Sequence, residues 1–584
     1  MNYLLAFSFL FIFFSYSNFL NLKYKIKLNE TYFITFCLII LITHLLFQLQ
    51  FNYNIGDSKK VLLTFLFSSV IFFIYIMKNY KKIEFSLNIE FVFFFIIIFL
   101  LSKDRYYLDQ DEFTYWGLAI KALAFDLNHY NFFHHPQGLN FFRNLFVIFE
   151  FNEGMVIFSN NIILISGFFF LFYKRELALF QKVILFFIYY LLLNNLSFGF
   201  VSIYSDPILA IFYACIINKF FFIFTDKKFE KDFSIILIFV SILLINRSSP
   251  IYFLFALHFI AGLYFLENYK KKSSNFFIKY VLIIFTLLYI IYKFYIPPAL
   301  NDNYQLKVIF ENLLFTNIFF KQLINLLIQP IYFSSFGTTI NSIFDLIFSI
   351  NYKINEFQIP LLVYIVLLLP FFIFKFKHKN FLLISSIFLI LIYTIIVLVL
   401  KHEIENIHIS ALPRYIGIII LAKYLFIFSI VVFNNQHFNK NFIFLFFLLL
   451  LFVVTPKKTL GFFSTENIYY SSVSNKNFKI NRDNISKINM IKNSYDKFLV
   501  IHKKNYSDFT NNNISGEHSF YHNIIEYELF PKKPKYIELN DYLLLSESLN
   551  EKNMLLIYFD LPSSDILKIK TNVNFFKINT YRNR

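Results

Sequence analysis

Cysteine is almost missing from this chain. Only Cys37 and Cys215 occur in 584 residues, both inside apolar runs, which excludes a disulfide framework and a cysteine-rich metal cluster and leaves the redox compartment unmarked. Glycine and proline are scarce too, at 11 and 13 residues. The first apolar run, Tyr3 to Leu20, has no basic segment before it and no small-residue cleavage site after it; it reads as a retained helix, not a removable leader. No internal repeat or low-complexity tract stands out.

What is present is apolar. Hydrophobic residues make up 58% and aromatic ones 22%, with a mean hydropathy of +0.59; the chain is expected to be a polytopic membrane protein. Its 89 Phe and 40 Tyr, alongside abundant Ile, Asn and Lys, fit an AT-rich genome and carry no stacking function. The net charge of +18 is explained by lysines in short loops between apolar runs, so no nucleic-acid partner is expected.

Apolar runs of roughly membrane-spanning length lie near 3–20, 31–49, 61–77, 86–102, 155–173, 180–196, 203–224, 232–246, 250–267, 279–296, 359–374, 381–400, 416–433 and 441–455. The expectation is an all-α polytopic protein of about fourteen spans over 1–455, followed by a small α/β domain over 456–584. Lysine-rich loops at 23–27, 78–82, 174–182, 227–231, 270–272 and 375–379 alternate with poorer ones. Because short basic loops mark the cytoplasm, the N-terminus, the loops 103–154, 297–358 and 401–415, and the tail are expected outside a bacterial cytoplasmic membrane. Within 297–358, Val308–Phe315, Ile318–Ile328 and Ile343–Ile350 are too short to span and read as interfacial or re-entrant helices. In the tail, Lys497–His502, Lys535–Leu539 and Met554–Asp560 read as strands, and Ser519–Leu529 and Asp541–Leu549 as helices.

The polar features gather on the expected outer side. Asp109, Asp111 and Glu112 place three carboxylates in four residues. After them Phe113, Trp116, Ile120 and Leu123 share a helical face suited to a membrane interface. His134-His135-Pro136-Gln137-Gly138 comes next in the chain. Ser205-Asp206-Pro207 opens the seventh span, with Asp206 near a positive helix end. Arg247 sits in the hairpin after the eighth span, and Arg414-Tyr415 precedes the thirteenth. Each also has a plainer reading: a solvated acidic loop, surface histidines, a helix cap, snorkelling arginines. Lys423 falls inside a span, where a cation calls for a buried partner or a cavity.

Asp111-Glu112 in the first large outer loop, His135-Pro136-Gln137-Gly138 near it, Tyr204-Ser-Asp-Pro-Ile-Leu-Ala210 and Arg414-Tyr415 together resemble the C-superfamily (GT-C fold) of membrane glycosyltransferases. That superfamily includes protein O-mannosyltransferases and lipid A aminoarabinose transferases. The resemblance covers most of 86–455 as an arrangement of short motifs in a shared order. It implies an inverting transfer from a polyprenyl-phosphate or diphosphate sugar, in the membrane lipid, to a glycan, lipid or protein acceptor outside. Such chemistry needs a base on the acceptor, for which Asp111 and Glu112 are the candidates. It also needs donors to the departing phosphate, and Arg414, Arg247, Lys121, His134 and His135 are the candidates. Asp109, Trp116, Asp206 and Tyr415 would support them. Clustered carboxylates are also a ligand set for Mg or Mn, so metal dependence stays open. Two alternatives stay open beside it: a transporter or flippase of lipid-linked glycan, and a polysaccharide polymerase or ligase of another membrane family.

Overall fold

The computed structural model describes residues 2–53, 58–107, 116–125, 138–173, 177–196, 200, 203, 205–226, 229–246, 253–254, 257–263, 330–332, 358–360, 383–384, 387, 418–419, 421–429, 482, 484–502, 524–532, 534–538, 542, 553–559 and 575–578. The chain divides into two compact units. One comprises Met1–Tyr106 and Asn128–Thr459, the other Tyr107–Leu127 and Leu460–Arg584. The division near 459 lies close to the expected boundary, but the second unit also takes in Tyr107–Leu127, which a linear reading assigns to the membrane part.

The first unit is helical. Its elements are α1 (Asn2–Tyr24), α2 (Leu28–Tyr53), α3 (Ser58–Lys78), α4 (Phe85–Ser102), α6 (Gly138–Asn144), α7 (Glu153–Phe172), α8 (Leu179–Leu196), α9 (Asp206–Asp226) and α10 (Phe229–Asn246); α5 (Gly117–Ala124) belongs to the second unit. The first eight expected spans are each matched by one of these helices. Five of the described helices are long and apolar enough to cross a membrane, and three shorter apolar ones accompany them. The remaining expected spans lie largely outside the described residues, so fourteen is not the observed count. Residues 257–263 and 421–429 are helical within the ninth and thirteenth runs.

Helix α7 is the axis of this unit: every residue from Gly154 to Phe172 is buried, and α2, α4 and α9 pack against it. Phenylalanine fills these seams. The Phe33 ring on α2 meets Phe170 of α7, Phe212 of α9 and Phe239 of α10 at centroid distances of 5.7, 4.9 and 5.2 Å, so one side chain joins four helices. Such contacts replace the hydrophobic effect, which cannot hold helices together in lipid. At Gly167 a β-carbon would lie 2.5 Å from Ile211 Cγ2, which is how α7 and α9 come so close. At one end of the bundle, Lys219 Nζ sits 2.9 Å from Glu30 and 3.0 Å from Asp232, and Lys182 Nζ 2.8 Å from Glu90. These pairs occupy the end where the lysine-rich loops emerge. β1 (Pro330–Tyr332), in the 297–358 loop, pairs antiparallel with β2 (Gln358–Pro360), which runs from the end of that loop into the start of the expected span 359–374. The short helices expected in this loop lie outside the described residues.

The second unit holds a parallel sheet of β3 (Lys497–His502), β4 (Lys535–Glu538), β5 (Met554–Phe559) and β6 (Phe575–Ile578), in the order β4-β3-β5-β6. The first three are the expected strands, nearly to the residue. Phe498 to Ile501 and Met554 to Tyr558 are buried without a break. A parallel sheet covered on both faces requires this, because its crossovers return over the faces. Leu499, Ile501, Leu556, Tyr558 and Tyr542 cluster with Met554 on one side. Burial, with Tyr558 alongside, pushes the Tyr542 phenol up to about 12, so it remains a neutral core group. Residues 524–529 are helical in the crossover from β3 to β4.

The end of this crossover helix is capped by lysine. Lys492 Nζ donates to the Glu528 and Phe530 carbonyls at 2.8 and 3.1 Å, and Lys532 Nζ donates to the Lys492 carbonyl at 3.1 Å and to that of Tyr495. Burial first, and then Lys532, lowers Lys492 to about 8. A lysine depressed below its unfolded value of about 10.4 opposes folding while both states are charged. That penalty is relieved as pH rises from about 8 toward 10. The full chain in detergent is therefore expected to gain stability in this window relative to Lys492→Met, as read by thermal unfolding of the two proteins side by side. Parallel curves would remove Lys492 as the cause.

Candidate functional site

The carboxylates Asp109, Asp111 and Glu112, and with them His134, His135, Arg247, Arg414 and Tyr415, lie outside the described residues. Chain leading toward the carboxylates, out of the histidine pair and into Arg247 is described, and in the first unit these segments converge. Helices α4 and α10 end where α3, α7 and α9 begin, and the short helix α6 lies among these ends. A β-carbon at Gly138, the last residue of the His-His-Pro-Gln-Gly motif, would lie 2.8 Å from Asn246 Oδ1 and 2.9 Å from the Ile245 carbonyl oxygen. The chain segments that lead into Arg247 and out of the histidine pair thus meet directly. A β-carbon at Gly154 would lie 2.4 Å from the Lys103 carbonyl oxygen, so the start of α7 abuts the residue that follows α4. Asn152 caps α7 by accepting the Met155 amide at 3.0 Å.

At the centre of this end stands Arg143, wholly buried on α6. Its guanidinium donates to Asn140 Oδ1 at 3.1 Å, to Asn160 Oδ1 of α7 at 2.7 Å and to the Ile203 carbonyl at 2.6 Å, three residues before Asp206. Asn161 Nδ2 donates to Ser102 Oγ and to the Phe200 carbonyl, each at 2.9 Å, and Asn144 Nδ2 to Ser58 Oγ at 2.9 Å. Asp206 and Ser205 are buried at the start of α9. Asn residues on α6, α7 and α10, with Arg143 among them, make a polar layer at this end of the bundle. Ionisable groups so placed are costly and point to a function by default.

Sequence reasoning did not single out Arg143. It stands in Leu139-Asn-Phe-Phe-Arg-Asn-Leu145, a stretch too short to show helical periodicity. The available signal was an arginine among apolar residues just after a proposed motif.

Lys121 and Trp116 fall in the second unit. The α5 face carrying Ile120 and Leu123 is buried in protein, and Trp116 is half-buried; the expected membrane-interface face is a packing face. Lys121 is buried as well. Its ammonium donates to the Tyr527 carbonyl at 2.5 Å and lies 4.0 Å from Glu528, contacts that hold a fold together and lend no support to a role on a donor phosphate. Of the residues inside spans, Lys423 and His258 are buried, and the His258 Nδ1 is 2.6 Å from the Leu254 carbonyl. Among the described residues no three His, Cys, Asp or Glu side chains come together as a metal site. No protein-family model, no curated protein and no solved structure matches the chain.

Proposed function

We propose that this helical membrane protein is a glycosyltransferase of the GT-C type, moving a sugar from a polyprenyl-phosphate or diphosphate carrier to a cell-envelope acceptor on the extracytoplasmic face. The observation that carries the reading is the meeting, at one end of the bundle, of segments far apart in sequence that each lead into a motif. Gly138 lies against Asn246, Arg143 holds the Ile203 carbonyl ahead of Asp206, and the end of α4 touches α7. A lipid-linked donor and a polar acceptor can meet only where polar side chains are held at the edge of apolar helices.

In the reaction, Asp111 or Glu112 takes the proton from an acceptor hydroxyl or amine as its oxygen or nitrogen attacks the anomeric carbon. The carbon–oxygen bond to the carrier phosphate breaks, and the phosphate leaves with the electron pair. It needs no proton, so one base suffices where most glycosidases need two carboxylates. Arg414 and Arg247 are the candidates to stabilise the charge gathering on it, a guanidinium making the bidentate contact that an ammonium cannot.

The rival reading is a transporter of the same lipid-linked glycan, favoured by the buried Lys423 within a span. The two separate in one experiment. The protein, reconstituted in vesicles with lipid-linked sugar extracted from membranes of a deletion strain, should release free polyprenyl phosphate when acceptor is supplied. Movement of intact donor across the bilayer with no cleavage would replace the transferase with the transporter.

A further inference from the structure

Two lysines of the second unit each hold the other's stretch of backbone. Lys492 Nζ reaches the Glu528 and Phe530 carbonyl oxygens at 2.8 and 3.1 Å, and Lys532 Nζ reaches the Lys492 carbonyl at 3.1 Å and that of Tyr495. Lys532 also lies 5.6 Å from the centre of the Phe498 ring on β3. Neither ammonium has a carboxylate for a partner. The Glu528 carboxylate faces Arg482 and Asn489, and Asp496 accepts from Asn553 Nδ2 at 3.3 Å. Among the described residues no Asp or Glu comes within ion-pair distance of either lysine. One cation satisfies a helix end, so a second beside it, with nothing to neutralise either, works against a purely capping role.

The geometry suits a neutral amine at Lys492. Uncharged, it has two N–H donors for its two carbonyl acceptors, and the lone pair is left over on a side chain that is only half-buried. Burial first, and Lys532 second, act in the same direction, holding the group at about 8; a partly desolvated lysine beside another cation is an activated nucleophile. We infer that Lys492 is a reactive amine at which the tail captures aldehydes or ketones as imines, with the Lys532 ammonium as the acid. The nitrogen adds to the carbonyl carbon while Lys532 lends the oxygen a proton; the nitrogen then returns one to Lys532, and departure of water leaves the C=N bond. That water carries the carbonyl oxygen and the two amine hydrogens, and nothing is oxidised or reduced. The plainer alternative is a cap and nothing more, in which Lys492 stays a bound ammonium and reacts no faster than a surface lysine.

Competitive reductive alkylation of the full chain in detergent separates the two. The probe is glycolaldehyde with cyanoborohydride, which fixes each imine as a stable amine, and peptide mass spectrometry compares Lys492 with the exposed Lys487 and Lys535 of the same molecule. Near neutral pH, at about 7.5, a lysine at about 8 holds about two hundredfold more free amine than an ordinary one at about 10.4. Weaker bases are weaker nucleophiles, which takes back about tenfold. Lys492 should therefore label about tenfold or more faster than either comparison lysine, with the advantage shrinking as pH rises toward about 10 and absent from a peptic digest labelled the same way. Lys532→Gln, which keeps a donor but no charge, should slow Lys492 severalfold. Labelling of Lys492 at or below the rate of Lys487 in the folded wild-type protein overturns the reactive amine, and so does an advantage that persists in the digest, since local sequence would then explain it. If the Gln variant loosens the turn, as read by hydrogen exchange at 528–532, the wild-type rates alone decide. An advantage that the Gln variant keeps with that turn still protected overturns the part given to Lys532.

Discussion

Asp111→Asn and Glu112→Gln leave protein abundance at the wild-type level, while transfer falls about a hundredfold to ten-thousandfold in at least one of them, the usual cost of removing a general base. The amides keep size and hydrogen-bonding shape, so packing barely changes and the loss reads on chemistry. Asp109→Asn is expected to be milder, since it stands outside the Asp-Glu pair. Release of polyprenyl phosphate by purified protein, together with mass spectrometry of surface glycans in cells carrying each variant, checks the set. Wild-type glycan and wild-type transfer in both amide variants at normal abundance would sink the transferase reading. A parallel fall in abundance and activity would turn these carboxylates into structural groups.

The second large effect is on stability. Glu528 is buried and accepts from Arg482 and Asn489, with the Lys121 ammonium 4.0 Å away. Glu528→Ala would leave two buried cations without their carboxylate, and breaking a buried ion pair from one side costs about 3–5 kcal/mol. That is a large share of the stability of a small domain. The second unit in the full chain should therefore become sensitive to limited proteolysis between 482 and 578 and lose its slowest-exchanging amides. Glu528→Gln should be intermediate. Combining Glu528→Leu with Arg482→Met should recover part of the loss, because an apolar pair of similar volume has no charge to desolvate. Native-like protection in the Ala variant would mean that the carboxylate is not what holds these elements.

How much of this was readable beforehand follows from the range of the forces involved. Apolar runs such as Glu153–Phe172 declare themselves because a membrane span is a local property of about twenty residues. Strand β3 was legible for a similar reason: Phe498 to Ile501 is an unbroken β-favouring run between polar ends. Strand β6, Phe575-Phe576-Lys577-Ile578, was missed, being four residues long among Asn and Lys. Helix α6 escaped because seven residues span barely two turns. The α5 face was seen as amphipathic and assigned to lipid, since Ile120 and Leu123 look the same whether protein or membrane covers them. The joining of Lys121 to Tyr527 could not be read at all, because a contact across 406 residues leaves no local pattern in either segment.

That separation has a consequence in time. Ribosomes add about 5–20 residues each second, so Lys121 is made roughly 20–80 s before Tyr527 exists to receive it. Throughout that interval α5 is already synthesised and the residue that receives Lys121 is not. Closing so long a contact is also slow for entropic reasons. The nascent protein thus passes through a stage in which its first apolar helices are complete while α5 still waits for its packing partner in the tail, and any product of premature termination before residue 527 stays there. Making the last part of the chain the packing partner of α5 ties completion of this unit to completion of synthesis.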